Sequence, residues 1–495
     1  MEKYLVNVTK KSTIVFLGKI ISVLLGFIFS FVVARFMGAE IYGRFTYVYT
    51  FISLLPIIAN LGLDKGLISF IPRLNSDDKV TDRNSIITFS FTVTILISIL
   101  LIITLINYNE YIANNILNNP DLSTLIIWSA PILVLLIINK ISKGVFRGID
   151  IIRHYVIGKN IIIPITKTII IVILSLFSYK VYGVLISYYI STGLTSSYYI
   201  YILWKMNYLG KVKKNNIKLY KKLLKFSLPL LFTGMLGFLI SRSDSFMIGY
   251  FLSEDKVGIY NIARKVGTMS SFILTAFNMV FASTISKLYY ENRMDDLKKI
   301  YTIITKWIFS FNLLFLVNVV ILNKEIMLLF GKEFLYGNIA LLLITIGQFF
   351  NALVGSAGYI NTMTGYPQFS LYTNLITVII NIFLNLILIP RIGIEGAAIA
   401  TLISILVSNV LRLSLLYSKH KIHPYNKDYI KISIFALFSF IISYLLKNYF
   451  EINWIVEIFI ISVLSSAIFL VLYVSYTLSS EDKMIINKFK NKIFK

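Results

Sequence analysis

Charged and amide side chains interrupt apolar stretches of this chain, where such groups are rare and costly, and ten of them are candidates for a binding site. They are Lys19, Asn60, Asp64, Lys167, Arg242, Asp244, Asn261, Arg264, Lys265 and Asn278. The cations outnumber the carboxylates, so a cavity lined by these groups would be positive. A positive cavity suits a phosphate or an acidic sugar, and arginine can hold a phosphate through two parallel hydrogen bonds. The residue types therefore predict an anion-binding site.

Helical spacing places many of these residues on polar faces. The polar series from Asn261 to Asn278 falls within roughly 140° of a helix, whereas Arg242 and Asp244, two positions apart, diverge by about 200°. For serine, threonine and glycine alone, helix–helix packing explains such a face as well as a cavity does. The buried charges favour the cavity. Lysines and arginines near a helix end, including Arg264 and Lys265, could also snorkel to the interface.

The elements that carry these residues are fourteen apolar stretches of about 20 residues, the length that crosses a bilayer core. We predict spans at 13–34, 45–71, 85–107, 121–140, 155–178, 182–204, 226–251, 262–286, 301–322, 335–362, 370–389, 394–417, 429–446 and 454–477. The chain is 57% hydrophobic and only 14% charged, against about 25% charged in soluble domains. The sequence thus predicts an all-α polytopic membrane protein with 14 transmembrane helices.

Basic residues concentrate in every second loop between the predicted spans, together with both ends of the chain. Because lysine and arginine favour the cytoplasmic side of short loops, we expect both termini in the cytoplasm and the protein in the plasma membrane. The net charge of +25 follows from these loops, and no nucleic-acid motif accompanies it. We therefore expect the bilayer, and no nucleic acid, as a partner.

The loops also argue against an enzyme. The longest predicted loop, 205–225, is too short for a catalytic domain, and no glycine-rich phosphate-binding loop with a lysine occurs. The three histidines, His154, His420 and His423, lack partners at metal-ligand spacing, and the chain has no cysteine. Transport, without a metal or other cofactor, is the function class that remains.

Glycine-centred motifs recur in the two halves of the chain. Gly43 and Gly258 close similar outward loops 215 residues apart, and Gly148 with Gly183 recurs as Gly365 with Gly396. An even number of spans in each repeat predicts two parallel six-helix repeats, with a substrate site where they meet. We assign 1–204 and 226–417 to the two six-helix bundles, 205–225 to a basic cytoplasmic linker, and 418–495 to two extra helices and a basic cytoplasmic tail.

At the seventh and eighth spans the sequence resembles a known family. The segments Ser241-Arg242-Ser243-Asp244, Ile248-Gly249-Tyr250 and Val257-Gly258-Ile259-Tyr260-Asn261-Ile262-Ala263-Arg264-Lys265 are similar to those of polysaccharide (O-antigen and teichoic-acid type) flippases. These belong to the multidrug/oligosaccharidyl-lipid/polysaccharide (MOP) exporter superfamily. Arg35-Phe36-Met37-Gly38 and Ile394-Glu395-Gly396-Ala397-Ala398 fit the same group.

The resemblance implies a V-shaped, MATE-like arrangement of two six-helix bundles, plus two C-terminal helices that can form a lipid-accessible groove. It implies alternating access that moves a polyprenyl-pyrophosphate-linked glycan to the outer leaflet for cell-surface polysaccharide synthesis. Polysaccharide biosynthesis enzymes would then be candidate partners. A functional arginine of lipid II flippases carries over to Arg264, and Lys19 is a plausible counterpart of another cation.

Two other functions stay open at this point. A multidrug or metabolite antiporter would need acidic residues in the N-terminal cavity, and the first span has none. A membrane-embedded glycan polymerase or ligase would need a substantial outward loop. The sequence does not choose between undecaprenyl and dolichyl carriers, between the H⁺ gradient, the Na⁺ gradient and the membrane potential as the driving force, or between the two faces of the seventh span.

Overall fold

The computed structural model describes residues 2–74, 79–177, 179–210, 216–449, 453–477 and 482. Residues 211–215 of the predicted linker, and most of the predicted tail beyond Thr477, lie outside this described part. The α-helices are α1 Glu2–Ala59, α2 Leu63–Phe70, α3 Val80–Asn107, α4 Asn109–Tyr111, α5 Ser123–Ser129, α6 Ile132–Gly148, α7 Ile152–Val156, α8 Ile163–Ser175, α9 Lys180–Lys205, α10 Ile217–Phe251, α11 Glu254–Gly267, α12 Ser271–Tyr290, α13 Met294–Leu328, α14 Asn338–Val354, α15 Ala357–Met363, α16 Pro367–His420, α17 Asp428–Tyr449 and α18 Trp454–Tyr476.

Long apolar helices dominate because a backbone in hydrocarbon must satisfy its hydrogen bonds within each segment. In the described residues, nine helical segments are long and apolar enough to cross a membrane. The number rises to eleven if two bent pairs each count as one span, Pro120–Ser129 with Ile132–Gly148 and Glu254–Met279 with Thr284–Tyr290. The prediction of a polytopic α-helical membrane protein is confirmed.

The helices α1 and α16 are each interrupted by non-helical backbone, and α13 contains one further non-helical residue, Leu322. In α1 the interruption is Gly38, with φ 86° and ψ 173°, and in α16 it is Ile392 followed by Gly393, with φ 66° at the glycine. Positive φ is readily reached by glycine and strained for most other residues. Each interruption falls in a gap between two predicted spans, so α1 contains the first and second spans and α16 the eleventh and twelfth.

The chain divides into two compact units, Met1–Asn261 and Ile262–Lys495, called here the N-terminal unit and the C-terminal unit. The N-terminal unit has a core of buried aliphatic and aromatic residues from α2, α3, α6, α9 and the start of α10. In the C-terminal unit, one core joins α12, α13, α15 and the end of α16, and another joins α13 to α17 and α18. The N-terminal unit thus holds all of α10, which carries Arg242 and Asp244.

Two of the repeated glycines meet within the N-terminal unit. A Cβ atom on Gly43 would collide with the backbone carbonyl oxygen of Glu254, and one on Gly258 would collide with that of Ala39. Each Cβ would also lie 3.0–3.1 Å from the backbone nitrogen of the other glycine. Glycine at both positions lets α1 approach α11 at backbone distance. The side chain of Arg44 lies 3.6 Å from Glu254 Oε1 beside this contact. We call this region the glycine contact.

Candidate functional site

A lysine of the N-terminal unit lies among aromatic rings. Lys167, on α8, places its Nζ 4.0 Å from the ring centroid of Phe29 and 4.5 Å from that of Tyr188. It also donates a hydrogen bond of 3.2 Å to the Tyr188 hydroxyl. The sequence singled out Lys167 without identifying the rings around it, because they come from two other helices, α1 and α9.

The aromatic group extends along the second half of α1. Tyr188 packs against Phe45 and Tyr49, with centroid distances of 4.8 and 4.9 Å. Phe45 and Tyr49 lie one helical turn apart and stack at 5.5 Å. The guanidinium of Arg242 interacts electrostatically with the phenols of Tyr49 and Tyr188. Arg242 and Lys167, far apart in sequence, therefore both interact with Tyr188.

Arg242 and Asp244 have different surroundings, as their positions on α10 require. Arg242 is half-buried, whereas Asp244 is buried and accepts a 2.7 Å hydrogen bond from the Tyr260 hydroxyl. Nearby, Ser245 donates to Asn261 Oδ1 at 3.1 Å, and Asn261 donates to the carbonyl of Val257 at 2.9 Å. Asp244 and Asn261 thus help to join α10 to α11.

A second polar group surrounds the break between α1 and α2. Asn60 is buried and donates to the Asp64 carboxylate, while Gly62 takes the left-handed conformation that starts α2. Lys140, on α6, donates a 3.1 Å hydrogen bond to the carbonyl of Pro56. This carbonyl lies in the last turn of α1 and also accepts a 3.3 Å hydrogen bond from the backbone N–H of Asn60. Lys140 also interacts electrostatically with Asp64.

Sequence reasoning missed Lys140, which lies at the edge of a predicted span and resembles an ordinary basic residue of a cytoplasmic loop. A signal was available, because a break such as the one after Ala59 leaves carbonyls that need donors. Lys65, next to Asp64, donates to Thr233 and, at 3.4 Å, to the carbonyl of Leu230.

Lys19, on the first half of α1, is half-buried, and its charge interacts with that of Lys159. Lys65, Lys140, Lys167 and Arg242 are, like Lys19, half-buried cations of the N-terminal unit. In the described part of the chain, none of the five lies within 4.0 Å of a carboxylate oxygen. We refer to these five residues as the cation group.

The remaining predicted residues belong to the C-terminal unit. Arg264 and Lys265 are half-buried in the last turn of α11, where the helix dipole favours positive charge. Asn278, on α12, is buried, and its Oδ1 accepts no hydrogen bond from the described residues. Among the residues that the structure describes, no cluster of three or more His, Cys, Asp or Glu could hold a metal ion.

Comparison with known proteins identifies the family. Residues 8–289, more than half of the chain, match the model of the family described as "Polysaccharide biosynthesis protein", and residues 229–387 match the MatE family. Among curated relatives, the probable low-salt glycan biosynthesis flippase Agl15 of Haloferax volcanii is 26% identical over 46% of this chain and 51% of its own length. The capsular polysaccharide biosynthesis protein CapF of Staphylococcus aureus is 23% identical over 80% of this chain and 96% of its own. The chain thus spans about half the length of Agl15 and nearly all of CapF.

Solved structures show the same fold. The lipid II flippase MurJ, in an inward closed conformation, superposes with a TM-score of 0.74 at 18% identity, covering 93% of this chain and 98% of its own. A multidrug resistance MATE transporter of the MOP superfamily superposes with a TM-score of 0.65 at 15% identity, covering 81% of this chain and 94% of its own. The chain therefore belongs to the polysaccharide biosynthesis protein family of the MOP exporter superfamily, as its sequence resemblance predicted.

Proposed function

We propose that this protein is a flippase that moves a polyprenyl-pyrophosphate-linked oligosaccharide from the inner to the outer leaflet, for the synthesis of a cell-surface glycan. The observation that carries this proposal is the cation group of the N-terminal unit, which has no carboxylate within ion-pair distance in the described residues. A cation inside hydrocarbon costs at least about 2.5–3.5 kcal/mol unless water or a partner stabilises it, and the hydrogen bonds of Lys65, Lys140 and Lys167 go to neutral oxygens. A diphosphate passing through the protein would offset that cost.

In the proposed cycle, Lys19 captures the pyrophosphate near the cytoplasmic side, and Arg242, Arg264 and Lys265 receive it further out. The arginines hold phosphate oxygens by paired hydrogen bonds. The sugars cross in water while the prenyl chain stays in lipid, and the protein opens alternately to the two sides. The H⁺ gradient, the Na⁺ gradient and the membrane potential are the candidate driving forces, and no cofactor is proposed.

The relatives support a glycan-linked substrate. Agl15 and AglR of Haloferax volcanii are named as probable flippases, the former in low-salt glycan biosynthesis, and CapF is named for capsular polysaccharide biosynthesis. We extend the substrate class from these relatives to this chain. Polysaccharide biosynthesis enzymes would supply the lipid-linked glycan and consume it, so they are the expected partners.

We further propose that the protein crosses the plasma membrane fourteen times. Both termini then lie in the cytoplasm. An uninterrupted helix the length of α1 or α16 would be roughly 80–90 Å long at 1.5 Å per residue, more than twice a bilayer core of about 30 Å. Each is therefore counted as two spans, divided at its interruption. The nine long apolar helices of the described residues then count as eleven spans. The two bent pairs and α9, whose 26 residues are enough to cross, bring the total to fourteen.

The glycine contact supports the parallel repeat. Gly43 and Gly258 are equivalent positions of the repeat, and so are Ala39 and Glu254, since both pairs are 215 residues apart. Gly43 meets the carbonyl of Glu254, while Gly258 meets the carbonyl of Ala39. Reciprocal contacts between equivalent positions characterise a two-fold axis. We infer that a pseudo-two-fold axis between two parallel repeats passes through this contact.

Replacing Arg264 by alanine tests the proposed function. In cells depleted of the protein, the sidedness of lipid-linked oligosaccharide is measured by labelling glycans on right-side-out membranes. The glycan should accumulate on the cytoplasmic leaflet, and wild-type protein should restore its transfer. Arg264→Ala should reduce transfer roughly tenfold or more, the loss expected for a charge-assisted hydrogen bond.

The matched control is Arg293→Ala, which removes an exposed arginine of the same unit. It should support normal transfer, and immunoblots of membranes should show equal insertion of both variants. An unchanged glycan distribution in depleted cells would reject the flippase proposal in favour of drug or metabolite export. Full transfer by Arg264→Ala would reject the role of this arginine.

A further inference from the structure

Lys167 and Tyr188 face the interior of the N-terminal unit. On α8 the exposed apolar residues Ile165, Ile169 and Ile173 form the stripe expected to contact lipid, and Lys167 lies roughly 180° from the centre of that stripe at 100° per residue. On α9, Ile186, Ile190 and Leu194 are exposed in the same way. Tyr188 again lies roughly 180° from their centre.

The side chains of this group are nevertheless accessible. Lys167, Tyr49, Tyr188 and Arg242 are each only half-buried. For Lys167 and Tyr188, the accessible surface therefore belongs to the side of the helix that faces away from the lipid-contacting stripe. Phe29 and Phe45, in contrast, are 3% and 4% exposed, so they form the packed base of the group. The arrangement is a half-open aromatic surface with two cations beside it.

We propose that Lys167, Tyr188, Tyr49 and Arg242 form a subsite for the carboxylate-bearing ring of an acidic sugar in the transported glycan. The inference rests on the proposed flippase function and names the substrate class that the function leaves open. A carboxylate accepts charge-assisted hydrogen bonds from Lys167 and Arg242. The C–H face of the sugar ring packs on a tyrosine ring, and the phenol hydroxyls form hydrogen bonds with the sugar hydroxyls.

The surroundings of Lys167 favour a sugar carboxylate over a phosphate. An ammonium has three N–H donors; one is directed to the Tyr188 hydroxyl, and the rings of Phe29 and Tyr188 flank the others. Few donors remain for the several oxygens of a phosphate. A single carboxylate on a flat ring needs fewer donors and also uses the aromatic surface. The cation–π contacts, worth up to about 2 kcal/mol when desolvated, hold the lysine in place between ligands.

Binding to the purified full-length protein in detergent provides the test. The probes are methyl β-glucuronide, the matching neutral methyl β-glucoside, and inorganic pyrophosphate, each titrated by calorimetry. Wild-type protein should bind the glucuronide roughly tenfold or more tightly than the glucoside. Lys167→Met should remove that preference, since it deletes a charge-assisted hydrogen bond, while Lys205→Met, which removes an exposed lysine at the end of α9, should keep it.

Two further variants distinguish a specific loss of binding in Lys167→Met from misfolding of that variant. Lys167→Arg keeps the charge and should retain the preference for glucuronide. Tyr188→Phe keeps the ring but loses the hydroxyl, and should weaken glucuronide binding a few-fold. Equal affinity of wild-type protein for the two glycosides, or an unchanged preference in Lys167→Met, would overturn the subsite. Loss of pyrophosphate binding in Lys167→Met, without an effect on glucuronide, would identify a phosphate site instead.

The outcomes separate this inference from the function on which it rests. Glycan that still accumulates on the cytoplasmic leaflet of depleted cells, together with no glucuronide preference, would reject the subsite and leave the flippase standing. A Lys167-dependent glucuronide preference with unchanged glycan sidedness would reject the flippase and retain an acidic-sugar binding site.

Discussion

The buried lysines of the two units have different kinds of partner. In the C-terminal unit, Lys306 is 2% exposed and pairs with Asp482, which also accepts a 2.8 Å hydrogen bond from the Trp307 indole. Lys447 likewise lies 2.8 Å from Glu325 and 3.6 Å from Glu457. In the cation group of the N-terminal unit, no described carboxylate lies within ion-pair distance. Paired lysines tie helices together, whereas lysines held by carbonyls, hydroxyls and ring faces keep their charge available to the anionic substrate that we propose.

Lys306→Met should have the largest effect on stability. The change leaves Asp482, which is fully buried, without its ammonium, and losing one partner of a buried pair costs about 3–5 kcal/mol. The thermal midpoint of the purified protein should fall clearly. The double variant Lys306→Met with Asp482→Asn removes both charges and should recover part of the loss. A single variant with the wild-type midpoint would show that the pair is not structural.

Lys447→Met should have a smaller effect. Its side chain and those of Glu325 and Glu457 keep 15–18% of their surface exposed, so water partly compensates the stranded carboxylates. We expect a loss of roughly 1–2 kcal/mol, between the values for exposed and buried pairs, measured by the same thermal unfolding. Lys324→Met, the exposed neighbour of Glu325, is the control and should leave the midpoint unchanged.

Lys140→Met should have the smallest effect on stability of the three lysine variants. Unlike the other two, it should have a marked effect on transport. The variant loses one hydrogen bond to a neutral carbonyl, worth about 1 kcal/mol. It also deletes a positive charge from the cation group, so glycan transfer should fall roughly tenfold, while Lys140→Arg should retain most of it. A large fall in the thermal midpoint with normal transfer would place Lys140 with Lys306 and remove the distinction between the units.

The sequence predicted the membrane helices and the family because both depend on local patterns. Apolar length and glycine-centred motifs are properties of a few neighbouring residues, and the helices and the family match confirmed them. The aromatic surroundings of Lys167 could not be predicted in this way. They require three helices at particular rotations, and the sequence fixes only which residues share a face of one helix.

The partners of buried charges could not be predicted from the sequence for a similar reason. Lys306 and Asp482 are 176 residues apart, and nothing in either segment indicates the other. Lys140 was overlooked because a lysine at the edge of an apolar stretch satisfies the expectation for cytoplasmic loops. The charge of a residue is evident from the sequence, but whether that charge is neutralised depends on long-range packing.

The glycine contact has a consequence for the origin of the molecule. In a chain with one copy of the repeat, the ancestral glycine could meet its equivalent only by pairing with a second copy of that chain, as in a symmetric dimer. Any change at that glycine would then have altered both sides of the contact. In a chain that carries both copies, as we propose for this protein, the constraint no longer applies. Arg44 faces Glu254, whereas the equivalent positions hold Ile259 and Ala39, so the ion pair exists on one side of the contact and not on the other.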